Sequence, residues 1–189
     1  MNIMKRWLVV AIIFTGSVTM LAQANTADAP RTIAQIYDRS VTNLEKEFVP
    51  AAEAMPDDKY SFAPSNGEFK GVRSFGSQVK HVAVANYEFA AAILGEKPPI
   101  EIGADENGPA SVTSKAEIVK LLNDSFAYLH KSVNTINETN LVASIKSPFG
   151  DGTVTRLGIA TIALAHPMDH YGQMVEYLRM NGIIPPASR

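Results

Sequence analysis

Four stretches of this chain carry apolar residues at alternating three- and four-residue steps, the period of a single helical face. In the first, Ile33, Ile36, Tyr37, Val41, Leu44 and Phe48 recur on one side, while Asp38, Arg39, Asn43, Glu45 and Lys46 fall elsewhere. Pro50 is expected to end or kink this helix, because proline lacks an amide hydrogen and crowds the preceding turn. The second follows Ser74, a suitable N-cap, and its seam is Phe75, Val79, Val82, Asn86, Phe89 and Ile93, stopped by Gly95 and the Pro98-Pro99 pair. The third opens with Ser114 and Glu117, spaced as a capping box, and buries Ile118, Leu122, Phe126, Leu129, Val133 and Ile136. The fourth runs from about Thr155 to Asn181; Gly182 suits a left-handed cap, and Pro185 and Pro186 forbid continuation.

No segment reads convincingly as a strand, and no internal repeat is visible. Helices of roughly 20 to 27 residues are rods about 30 to 40 Å long, each with one apolar stripe. Such stripes can be buried only against one another, so the expected class is an all-α four-helix bundle. Residues 55–74 read as a loop. So does Glu96 to Thr113, and a connection that long is often functional or a crossover.

Before the first helix, Lys5 and Arg6 precede the apolar run Trp7 to Phe14, and Ala22 and Ala24 occupy the positions a signal peptidase reads. The run is too short for a comfortable span of about 20 residues. Residues 1–24 are therefore expected to be a cleaved signal peptide and 25–189 the mature domain, exported to a periplasm or secreted. Without Lys5 and Arg6, 15 basic residues of the chain's 17 face 19 acidic ones, a net charge of −4. That balance argues against nucleic acid as a partner. No polybasic block or second apolar run remains to hold a membrane. The absence of cysteine excludes disulfides, thiol nucleophiles and thiolate ligands.

The chain has four histidines, and His166 and His170 sit four residues apart around Pro167. On a helix that spacing stacks two side chains on one face, close enough for both rings to reach one ion. Pro167 would kink the helix, or the helix would break at Ala165 and restart with proline in its first turn. A third ligand must come from another helix. His81, next to the seam residue Val82, lies at the edge of the inward arc; His130, beside Lys131, is the alternative and points rather to solvent. Three histidines leave coordination positions open, the arrangement that activates water or binds a substrate atom. Imidazole ligands suit zinc, nickel, iron and copper, so the residues do not name the metal. Glu88, seven residues after His81, could serve as a base or simply be a solvated surface residue. Gln173 could orient a ligand, and Tyr171 and Tyr177 read as packing residues with a polar tip.

The segment "VRSFGSQVKHVAVANYEF" around His81 and the ending "HPMDHYGQMVEYLRMNGIIPPAS" resemble the DinB/YfiT-like superfamily of metal-binding proteins, over essentially the whole mature chain. The resemblance implies an up-down-down-up bundle in which Glu96 to Thr113 crosses between parallel second and third helices. It implies a divalent metal, nickel or zinc before iron, on His81, His166 and His170. It also implies a homodimer acting on a small molecule, as in relatives that are thiol-dependent S-transferases or a maleylpyruvate isomerase. Tyr171 stands where the family commonly has arginine, and export is a second departure. The function expected is metal-dependent hydrolysis or group transfer, with Glu88 as helper. The alternative is a non-enzymatic bundle with a structural metal or a binding role.

Overall fold

The computed structural model describes residues 31–189. Four helices account for most of them: α1 (Ile33–Ala54), α2 (Phe75–Leu94), α3 (Lys115–Val133) and α4 (Arg156–Met180). The expected signal peptide, residues 1–24 with cleavage near Ala24, lies outside the described residues. Among those residues no helix is long and apolar enough to cross a membrane.

Two of the helix starts follow the capping chemistry read from the residues. The Ser74 hydroxyl accepts from Ser77 N, and Ser114 and Glu117 form a reciprocal box. Gly95, at φ 72°, takes the left-handed cap of α2, and its amide and that of Glu96 recover carbonyls at Ala91 and Ala92. Thr155 caps α4, and Arg156 reaches back to the Ile93 carbonyl at the end of α2, 3.0 Å away.

Pro50 does not end the first helix, which continues to Ala54. A mid-helix proline costs about 3 kcal/mol, but Ala51, Ala52 and Met55 beyond it are fully buried, and that packing holds the last turn in place. Nor does the fourth helix break at Pro167: α4 is continuous, with Pro167 buried inside it. Ile36 also departs from expectation, being 51 % exposed although it shares the stripe of Val41, Leu44 and Phe48. The seams read on α2 and α3 are buried throughout, and Phe48 and Phe126 meet across the core at 6.3 Å.

Cross-helix contacts fix the topology. Asp38 meets Asn134 while Glu53 meets Lys115, so α1 and α3 are antiparallel. Gln78 meets Gln173 while Ile93 meets Arg156, so α2 and α4 are antiparallel as well. Asn86 meets Ser125 and Glu96 meets Lys131, which makes α2 and α3 parallel. Tyr37 with Thr161 and Phe48 with Tyr171 do the same for α1 and α4. The order is up-down-down-up, as the resemblance implied, and the connection between the parallel α2 and α3 must return along the bundle. It does so against α2: Lys80 Nζ donates to the carbonyls of Pro109 (2.7 Å) and Val112 (2.8 Å). Gly108, at φ 71°, lies so close that a β-carbon there would stand 2.8 Å from Val84 Cγ2.

A small sheet was not foreseen. Strands β1 (Ser144–Lys146) and β2 (Thr153–Thr155) pair antiparallel around the turn at 147–152, with Ile145 opposite Val154. Three-residue strands with one half-buried residue each are too short to show a two-residue period in the sequence.

Candidate metal centre

His81 on α2 and His166 and His170 on α4 converge within the bundle. His166 Nε2 is 3.2 Å from His81 Nε2 and 3.2 Å from His170 Nε2. These three are the residues among those described whose ligand atoms cluster as a metal site would require. Their rings meet edge-on, with centroids 4.6 to 5.0 Å apart. Local folding explains the meeting. Antiparallel α2 and α4 bring position 81 level with 166 and 170, and the unbroken helix through Pro167 keeps the four-residue spacing on one face.

The donor chemistry fits a cation. His170 Nδ1 faces Gln78 Oε1 at 2.5 Å, and His81 Nδ1 faces two oxygens of Glu106, the main-chain carbonyl and carboxylate Oε2, each at 3.4 Å. Oxygens such as these only accept, so both Nδ1 atoms carry the proton and both Nε2 atoms present lone pairs to the same point. A single proton on His166 Nε2 can satisfy only one of them; a divalent ion satisfies all three. Two nitrogens bound at 2.0–2.1 Å in octahedral or tetrahedral fashion stand about 2.9 to 3.4 Å apart, and 3.2 Å falls inside that range. His166 Nδ1 is buried without a hydrogen-bond partner.

Protonation is disfavoured at all three. Burial pushes the pKa of His81 down, and the Arg73 charge adds to this. Burial and then His81 lower that of His166, and burial with His166 and His81 takes His170 to about 4. Neutral imidazole is the ligand-competent form.

His130 does not join the cluster, nor does it point to open solvent. Its Nδ1 lies 2.7 Å from Asp38 and its Nε2 3.3 Å from Glu45, which ties α3 to α1. Glu88 is also outside the cluster. It lines a cleft of about 790 Å³ with Ala92, Pro98, Ile102, Ile145 and Pro148. Burial, and then the charge of Glu106, push its carboxyl up to about 7. Seven residues separate Glu88 from His81, so the cleft begins on the same face of α2 about 10 Å from the triad. Phe89 bridges the two regions, its ring against His166 at 5.6 Å and against Phe149 of the hairpin turn at 5.9 Å.

Two neighbours of the triad, Gln78 and Glu106, were not read from the sequence. Gln78 precedes His81 by three residues and so shares its helical face, a signal that was there to use. Glu106 could be placed only by knowing that the crossover runs back along α2. There Gly103, Asp105, Glu106 and Gly108 all adopt positive φ, between 54° and 73°, and Arg73 holds the Asp105 carbonyl at 3.0 Å. Tyr171 packs on Phe48, and the hydroxyl of buried Tyr177 donates to the Arg73 carbonyl.

An up-down-down-up bundle with an inward three-histidine cluster defines a class of helical proteins suited to hold one metal ion. A sequence profile described as the DinB superfamily matches residues 41–174, and the chain belongs to that superfamily. Solved structures share the fold, among them the following three. A DinB-like protein of Bacillus subtilis is 19 % identical, with a TM-score of 0.57 over 78 % of this chain and 92 % of that one. A DinB-like protein of Bacillus cereus is 16 % identical, with a TM-score of 0.60 over 79 % and 93 %. A conserved protein of Enterococcus faecalis is 17 % identical, with a TM-score of 0.63 over 80 % and 98 %. No curated protein matches the chain.

Proposed function

We propose that this is an exported metalloprotein that performs hydrolysis or group transfer on a small molecule, with His81, His166 and His170 as ligands of one zinc or nickel ion. The observation that carries the reading is the convergence of three Nε2 atoms with two 3.2 Å separations. A divalent cation held there would act as a Lewis acid and lower the pKa of water or a thiol toward neutrality. The chain supplies the rest. Glu88, with a pKa of about 7, is suited to take up and return a proton near neutral pH. The largely apolar cleft that begins at Glu88 would bind the body of the substrate and keep water from it. Periplasmic or secreted placement and a homodimeric state belong to the same proposal.

Elemental analysis of tag-free protein tests it. One metal per chain is expected, and His170→Ala should abolish it; full occupancy in that variant would refute the ligand set. A second reading has support in the triad's joining of α2 to α4, which would let a metal serve purely as a clamp. It is favoured if metal raises thermal stability while hydrolysis and thiol-transfer panels show no turnover.

A further inference from the structure

Outside the ligand set, a row of polar side chains runs from the surface of α4 into the α2–α4 interface. We infer that Gln78 is a positioning residue that holds His170 in one tautomer, proton on Nδ1 and lone pair on Nε2, through a hydrogen-bond chain anchored at Asp169. The inference rests on the metal-binding reading and deepens it.

The direction of the chain follows from its fixed end. Asp169 is exposed, and an ionised carboxylate can only accept. Gln173, one turn along α4, donates from Nε2 to Asp169 Oδ2 at 3.2 Å, which turns its Oε1 the other way. That oxygen accepts from Gln78 Nε2 at 2.7 Å, across to α2. Gln78 Oε1 is then left facing His170 Nδ1 at 2.5 Å, and only a protonated Nδ1 satisfies it. Amide orientations are assigned from their networks, and here the network has one solution. Reversing Gln78 alone sets two oxygens against each other at Gln173. Reversing both amides sets an oxygen against the Asp169 carboxylate.

Gln78 is 2 % exposed, so water cannot easily replace either partner. A buried amide costs free energy unless its bonds are made, and packing alone would be served better by an apolar residue of similar length. Outer partners of this kind fix the ring and tautomer of a metal-ligating histidine, and their loss typically weakens metal binding 10–100-fold.

The test uses the metal-free and cobalt(II)-loaded full chain with Gln78→Leu, Gln78→Glu and Gln173→Leu. Nitrogen-15 spectra of the imidazoles near pH 8, above the ordinary histidine range, should show His170 protonated at Nδ1 in wild type and as a tautomer mixture in Gln78→Leu. Cobalt(II) titration should show roughly 10–100-fold weaker binding in Gln78→Leu. Gln78→Glu, which keeps an acceptor against Nδ1 but has no donor for Gln173 and so gives up the link to Asp169, should recover part of the loss. Gln173→Leu, at a half-buried position, should fall between wild type and Gln78→Leu, and keeps the chain testable if the buried substitution does not fold. A wild-type His170 protonated at Nε2, or a folded Gln78→Leu that binds cobalt(II) as tightly as wild type, overturns the inference. If wild type binds no cobalt(II), zinc or nickel, the metal reading fails, and the tautomer spectra still decide the chain of hydrogen bonds by themselves.

Discussion

Removing His81 should uncouple metal from folding stability. The ring is 4 % exposed and is the α2 contribution to the triad. With it gone, His166 and His170 remain on one helix, and an ion there no longer ties α2 to α4. A ligand that binds only the folded state stabilises it by about 2.7 kcal/mol at 100 times its Kd. For a domain of this size each kcal/mol moves Tm by roughly 2–4 °C, so wild type should gain about 5–11 °C. Differential scanning calorimetry with zinc or nickel at that multiple of the measured Kd reads the shift directly. His81→Ala should lower the metal-free Tm, through its cavity, and should lose the metal-dependent gain almost entirely. His130→Ala is the comparator. It severs the links to Asp38 and Glu45 and should cost about 1 kcal/mol, yet retain the full gain. A His81→Ala protein that still gains as much as wild type would refute the reasoning.

Other outcomes follow from the same structure. In metal-free protein, His170 has a folded pKa of about 4 against an ordinary 6.5, so the unfolded chain takes up its proton first. Stability should therefore fall as pH drops from about 6.5 to 4, by up to about 3 kcal/mol from this residue, with His81 and His166 acting in the same direction; urea titrations at several pH values measure it. Glu88 has the opposite sign. Its raised pKa means the fold favours the protonated form, and stability is lost as pH rises through about 7. After discounting for its partial exposure, Glu88→Gln should gain about 1 kcal/mol at pH 8, while abolishing the proton transfer proposed for it in any turnover assay. Gly76→Ala should destabilise by about 1–3 kcal/mol in denaturant melts, because the new β-carbon would stand 2.6 Å from Tyr60 Cδ1, in a ring packed edge-on against Phe75.

What could be read in the residues was what local physics writes there. The α2 and α3 stripes, the Ser114–Glu117 box and the Gly95 cap each depend on neighbours within a few positions, and each is present as expected. Pro50 misled because its cost is local, while the burial of Ala51, Ala52 and Met55 that outweighs it depends on the other helices. The triad was legible for a related reason. The four-residue spacing of His166 and His170 is helical, and His81 sits on the α2 face that meets them. Glu106 was not legible, since it arrives through a crossover path that no local pattern encodes. His130 looked solvent-bound from its neighbour Lys131, yet its carboxylate partners lie on α1, about 90 residues away in sequence.

X-ray absorption on the zinc- or nickel-loaded chain bears most directly on the central claim, because it counts the imidazoles around the ion. Three imidazole nitrogens at about 2.0–2.1 Å are expected, with light oxygen-type atoms completing the shell, and no more than two around any ion that His81→Ala retains. A shell of two or fewer imidazoles in wild type, or an unchanged count in the variant, would contradict it.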